Sequence, residues 1–245
     1  ARYEIRDTDE FLRGYEDLMA DGDVLHVGTH PPGLFLFYRT MIDEMNRRPA
    51  LAEFIASTAP ASITESFDII DSNEQRSGKE LTTSDRAVIW LTTLLTQACC
   101  VVTVVPIFLM MRQENSRDTS WRVTAFWPLM PTLVIFIPKS DVLFVLPAAL
   151  LVWTWLTAAR HQSLLLGTLA GVIGWAGLFC SLAFLPIGLI AFVASLLGTV
   201  KLTKGDGTGE TSPQAVLQQP VTLVWLWKPL LGGVIAVGGL TLIAS

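Results

Sequence analysis

Val88 to Met111 is a run of 24 residues without a charged side chain. As a helix it would reach about 36 Å, more than the roughly 30 Å hydrocarbon core of a bilayer. Val123 to Ile137, Val142 to Ala158, Leu164 to Val200 and Val221 to Ala244 are similar runs, interrupted only by Lys228. The second and third are short and read as a hairpin turning at Pro138-Lys139-Ser140-Asp141. Leu164 to Val200 is 37 residues long, enough for two spans. The break between them is expected near Ser181 to Pro186, because proline cannot continue the helical donor ladder. The expected fold class is therefore all-α, a polytopic helical membrane protein with about six transmembrane helices (88–111, 123–137, 142–158, 164–180, 183–200 and 221–244).

Charge divides the chain in two. Residues 1–87 hold nine Lys/Arg against seventeen Asp/Glu, and residues 88–245 hold eight against five. An acidic exterior segment over 1–87 thus precedes a membrane body over 88–245. The whole chain is 51% hydrophobic and 16% charged, whereas soluble domains average about a quarter charged. A nucleic-acid partner is excluded by the acidic balance of the only polar segment. Cys99, Cys100 and Cys180 lie in apolar runs without CxxC spacing, so they read as core or lipid-facing residues. The chain opens without Met and without a basic-then-apolar leader, and we expect it to begin in mid-protein.

Loops 112–122, 159–163 and 201–219 hold three, one and two Lys/Arg, and alternation puts all three on one face. The positive-inside rule makes that face cytoplasmic. The 1–87 segment and the 138–141 loop then share the exterior face of what we expect to be a plasma (inner) membrane. Lys228 beside Trp225 and Trp227 reads as an interfacial anchor. Gly167, Gly171, Gly174 and Gly177 fall at spacings that let helices pack closely.

Within the acidic segment, Phe11, Leu12, Tyr15, Leu18 and Met19 predict an amphipathic helix over 7–20, closed by Asp21-Gly22-Asp23. Residues 34–42 are apolar, 47–60 suggest a further short helix, and 62–80 read as a loop. Ser84 and Asp85 are expected to cap the first span. Between the first two elements stands His26-Val27-Gly28-Thr29-His30-Pro31-Pro32-Gly33. The two prolines remove donors and push His30 toward extended backbone, and Gly33 permits a sharp turn. Such a stiff loop suits the presentation of one imidazole to a polar ligand. Its plain alternative is a rigid turn whose histidine faces water.

The HVGTHPPG segment, following acidic amphipathic sequence and preceding a membrane body, resembles the GT-C-type polytopic glycosyltransferases. Among these it looks most like the bacterial mannosyltransferase and protein O-mannosyltransferase-like group. FIPKSDVLFVLPAALLVW and the Gly-rich stretch after it resemble that family's paired short spans with an Asp at an exterior turn. The resemblance implies transfer of a sugar from a polyprenyl-phosphate-linked donor to an acceptor hydroxyl on the exterior face. It assigns the acidic element to Asp9 and Glu10, or Asp7, and a catalytic role to His30. Lys139 would neutralise the lipid phosphate and Asp141 would bind a hydroxyl or pair with Lys139. A divalent cation is compatible with the acidic loop, although neither EF-hand nor HExxH spacing is present. The family's first span would lie upstream of Ala1, and the catalytic acid with it if Asp9 and Glu10 are an ordinary solvated helix face. The competing readings are a polytopic transporter, which calls for broken helices and intramembrane polar residues, and a non-catalytic membrane assembly protein.

Overall fold

A computed structural model describes residues 7–21, 31–74, 80–136, 139–204, 228 and 230–236. The described residues are mostly helical, with no strand among them. The chain divides into two compact units. The first comprises residues 1–101, 128–143 and 179–181, and the second 102–127, 144–178 and 182–245.

In the first unit the amphipathic segment forms two short helices, α1 (Thr8–Arg13) and α2 (Tyr15–Asp21). They are separated at Gly14, whose N–H bonds the Glu10 carbonyl at 3.0 Å. α3 (Gly33–Arg47) and α4 (Pro49–Ser57) follow, close to the two elements expected over 34–42 and 47–60. Ile42, Met45 and Ala52 of these helices form a buried cluster with Ala87 and Val88, and Tyr38, Met41 and Leu91 pack around it.

The expected loop over 62–80 is instead largely a helix, α5 (Ala61–Glu74). Its apolar residues Ile63, Phe67 and Ile70 keep the i, i+4, i+7 rhythm, but Ser, Thr and Asp between them disguise it. Phe67 is the one of these three that is buried. α5 is locked to the helix that follows. Asp71 accepts from the Leu81 N–H at 2.7 Å and from the Arg86 guanidinium at 2.5 Å, and Arg86 also lies 5.8 Å from the centre of the Phe67 ring.

The cap of α6 (Thr83–Val102) uses the expected Asp85, with Thr82 in place of Ser84. Thr82 and Asp85 close a reciprocal box: the Thr82 N–H and hydroxyl donate to Asp85 at 2.8 and 2.7 Å, and the Asp85 N–H donates back at 3.2 Å. This is the capping-box geometry, with aspartate in place of glutamate. Ser84 is buried one residue away. The box lets the helix begin at Thr83, five residues before the charge-free run. α6 continues after a turn at Thr103 into α7 (Val104–Met111). Pro106 explains that turn, since it withholds the N–H that would have met the Val102 carbonyl. Thr83–Met111 is 29 residues, long and apolar enough to cross a membrane.

Threonines inside this helix hide their hydroxyls. Thr92 donates to the Val88 carbonyl at 2.8 Å, Thr93 to Ile89 at 2.9 Å and Thr96 to Thr92 at 2.8 Å.

The expected span over 123–137 is not one helix. α8 (Arg117–Thr124) ends early, a 3₁₀ turn covers Trp127–Leu129, and α9 runs only from Pro131 to Phe136. Pro128 and Pro131 break the ladder, and six residues reach only about 9 Å. Its expected partner is present: a 3₁₀ turn over Ser140–Phe144 leads into α10 (Val145–His161), together 22 residues of spanning length and composition. α11 (Leu164–Cys180) has 17 residues, and the break before α12 (Phe184–Lys204) falls at 181–183, inside the expected window. Two helices among the described residues thus meet the length and composition of a membrane span, and Leu164–Cys180 and Phe184–Leu196 are shorter apolar helices. Of the last expected span, 228 and 230–236 are helical, and the rest of it, with Trp225 and Trp227, lies outside the described residues.

The second unit is centred on Leu151, Ala170 and Phe184. Trp155 donates to Ser195 at 2.8 Å, tying α10 to α12. The expected glycine packing is present: a Cβ on Gly171 would lie 2.7 Å from Gly233 Cα, and one on Gly232 would lie 2.6 Å from the Thr168 nitrogen. The Gly177 position is closed by the Phe184 ring, and Gly174 faces Leu151. The glycines therefore serve three neighbours instead of one seam.

Two outcomes follow from these contacts. Gly171→Val should cost about 1–3 kcal/mol, because the obstructing atoms are backbone, read as a lower thermal midpoint of helicity in detergent. The Leu81 N–H, and after it Arg86, hold the Asp71 carboxyl below its ordinary range of 3.8. A depressed carboxylate contributes stability above its unfolded pKa and loses it as pH falls through the folded value. Acid unfolding below about pH 4 should therefore be less steep in Asp71→Asn, measured by helicity against pH.

Candidate functional site

α3 positions most of the residues singled out from the sequence. It starts at the Pro31-Pro32-Gly33 turn: Pro32 has φ −63° and ψ −13°, and its carbonyl accepts from the Leu36 N–H at 3.0 Å. Gly33 serves close approach here, not a left-handed turn. It is buried, and a Cβ on it would collide with the Phe179 carbonyl and lie 2.8 Å from Cys180 Sγ. The end of the His-Pro-Pro-Gly segment is thereby seated against residues 179–180. His30 itself lies outside the described residues.

The first turn of α3 also receives the acidic helix. Phe11 and Tyr15 stand edge-on at 5.4 Å, and both meet Phe35, with centroids 5.9 and 6.4 Å away. Burial pushes the Tyr15 phenol up. This aromatic trio brings α1, with Asp9 and Glu10, to the end of α3 where the proline turn stands. Asp7 caps α1, accepting from the Asp9 N–H at 2.8 Å and the Glu10 N–H at 3.4 Å. Asp9 and Glu10 are exposed in the first turn, where negative charge complements the helix dipole. Asp7 thus has a structural task, and the carboxylates of its two neighbours face solvent.

One turn beyond Phe35 comes Tyr38, which the sequence reading did not single out. It is half-buried beside the Ile42–Met45–Val88 cluster and lies next to Thr92 of α6. Burial raises its pKa, the Thr92 contact opposes that rise, and the negative charge of Asp141 adds to it. The phenol therefore remains protonated at neutral pH. Asp141 is exposed in the 3₁₀ turn beside Lys139, also exposed, and the turn is held by the Val142 N–H to the Lys139 carbonyl at 3.1 Å. Buried Val142 and Leu143 anchor it. No sequence signal marked Tyr38 or Thr92, because their relation depends on how α3 packs against α6.

Two expected groups are accordingly gathered at the start of α3, the Asp9–Glu10 pair and the proline turn, and Asp141 stands within electrostatic reach of Tyr38 farther along it. Their chemistry is that of a polar rim with carboxylates, a neutral phenol and one lysine, built beside a helix of membrane-spanning length. No cluster of three metal-ligating side chains occurs among the described residues. Lys228 is exposed. In the second unit, Met110, Ala148, Ala149, Val152, Ile187 and Ile190 line an open groove of about 290 Å³. It is apolar throughout and can take hydrocarbon but not a phosphate.

No family model, curated protein or solved structure matches the chain.

Gly33→Ala places a methyl group against backbone at Phe179. It should destabilise the first unit by about 1–3 kcal/mol, detected as earlier protease cleavage within residues 1–87.

Proposed function

We propose that this chain is part of an integral membrane glycosyltransferase that moves a sugar from a polyprenyl-phosphate donor to an acceptor hydroxyl at the exterior face. The observation that carries the reading is the common support given by α3, whose first turn meets the acidic helix beside the Pro31-Pro32-Gly33 turn and whose Tyr38 lies within electrostatic reach of Asp141. The helices over Thr83–Met111 and Ser140–His161, long and apolar enough to cross a membrane, supply the setting in which a lipid-linked substrate would be met.

In this reading the bond from the sugar's anomeric carbon to the phosphate oxygen breaks, and the phosphate leaves with the electron pair. The acceptor oxygen forms the new bond to that carbon and gives its proton to a carboxylate, Asp9 or Glu10. His30 donates a hydrogen bond to the phosphate or orients the acceptor. Lys139 balances the developing charge, which is otherwise poorly solvated near hydrocarbon. Asp141 holds a sugar or acceptor hydroxyl.

Transfer of radiolabelled sugar from a polyprenyl-phosphate donor in proteoliposomes tests the assignment. His30→Ala should lower turnover by about 100-fold or more, in the range of a lost general acid–base or oxyanion donor, with insertion unchanged. Asp141→Asn should lower it about tenfold, the effect of one hydrogen bond of roughly 1.4 kcal/mol. Wild-type turnover in both variants would remove the rim from the chemistry.

A further inference from the structure

The region that fails to form a continuous span has a different character. In the second unit the chain leaves α7 at Met111, turns within 112–116, and comes back on α7 as α8. Trp121 stacks on Phe108 with ring centres 4.5 Å apart and planes at 33°, so α8 lies beside the last turn of the apolar helix. Ser120 and Thr124 face inward and are fully buried. Trp121, Val123 and Phe126 are 48%, 48% and 70% exposed. Exposed aromatic and aliphatic side chains set beside cations are the composition of an interfacial helix.

The charges around it have one sign in excess. Arg112, Arg117, Arg122 and Arg160 stand against Glu114 and Asp118. Glu114 is engaged by Arg160 at 2.6 Å, and Asp118 occupies the first turn of α8. Arg117 and Arg122 are exposed and make no ion pair among the described residues. Arg112 donates to the Asn115 carbonyl at 3.1 Å, and Arg160 to the Gln113 carbonyl at 2.6 Å. The turn is further held by Gln113 donating to Thr157 at 2.9 Å. The arginines are therefore presented from a stiff base at the level where an apolar helix ends.

We propose that α8 and the 112–116 turn form a docking surface for an anionic phospholipid leaflet, with Arg117 and Arg122 on the phosphate groups and Trp121 and Phe126 in the acyl boundary. The occupant follows from charge complementarity, from aromatic and aliphatic side chains exposed beside the guanidinium groups, and from continuity with Thr83–Met111. The inference rests on reading that helix as a membrane span, but not on the glycosyltransferase reading.

The test uses the whole chain in zwitterionic micelles, titrated with dansyl-labelled phosphatidylglycerol or phosphatidylcholine and read by energy transfer from tryptophan. The glycerol lipid should bind more tightly, and raising the salt from low to high concentration should remove the difference. Each arginine at such a surface is worth about a fivefold change in affinity, so Arg117→Gln with Arg122→Gln should weaken the anionic probe by about 25-fold and leave the choline probe unchanged. Equal binding of the anionic probe by this variant and the wild type overturns the proposal. So does displacement of the probe by glycerol phosphate at equal phosphate concentration, which would mark a free-anion site. A chain that alkaline carbonate strips from vesicles overturns the membrane-span reading and this surface with it. Normal sugar transfer without lipid preference would sink only the surface.

Discussion

The described fold depends on how an acidic segment is joined to a long apolar helix. At the head of α6 four free N–H groups would otherwise meet either water or hydrocarbon. Thr82 and Asp85 satisfy part of that need reciprocally, and Asp71 reaches across from α5 to take the Leu81 N–H and the Arg86 guanidinium. The two charges nearest the apolar run are thus bound to structure before the run begins. A helix that entered hydrocarbon with Asp85 and Arg86 uncompensated would carry a penalty of several kcal/mol. The junction also fixes α6 as a platform, against which α3 lays Ile42 and Met45 beside Ala87 and Val88.

From that platform the candidate site is assembled by contacts of ordinary strength. The Phe11–Tyr15–Phe35 trio holds the acidic helix, the absent side chain of Gly33 admits the 179–180 backbone, and Tyr38 links α3 to Thr92 and to the field of Asp141. None of these is large alone. Their arrangement along one helix makes the rim coherent, since a shift of α3 moves every member together.

The all-helical class and the position of the first apolar helix were legible because charge-free length and helical rhythm are properties of a continuous stretch. The break at 181–183 was legible for the same reason, with Pro186 nearby. The 123–137 run misled because apolar composition says nothing about whether Pro128 and Pro131 allow one ladder. α5 was missed because its serines, threonines and aspartates resemble a loop until Phe67 is seen to be buried and Asp71 engaged. At the site, the His-Pro-Pro-Gly segment and Asp141 could be picked out as unusual residues, but Tyr38 and Thr92 could not. Their relation depends on the packing of α3 against α6, and sequence spacing of 54 residues carries no trace of it.

The back-bonded threonines of α6 have a consequence for how this chain would enter a bilayer. Hydropathy scales charge each threonine for a hydroxyl that water would have to release. In α6 those hydroxyls donate to carbonyls three or four residues earlier, and an i−4 hydroxyl bond of this type forms as soon as the helix does. A nascent helix can therefore present Thr92, Thr93 and Thr96 to lipid with their polar atoms already satisfied, before any tertiary partner is available. The helix is in that sense more apolar than its letters, and its insertion need not wait for the rest of the protein to fold around it.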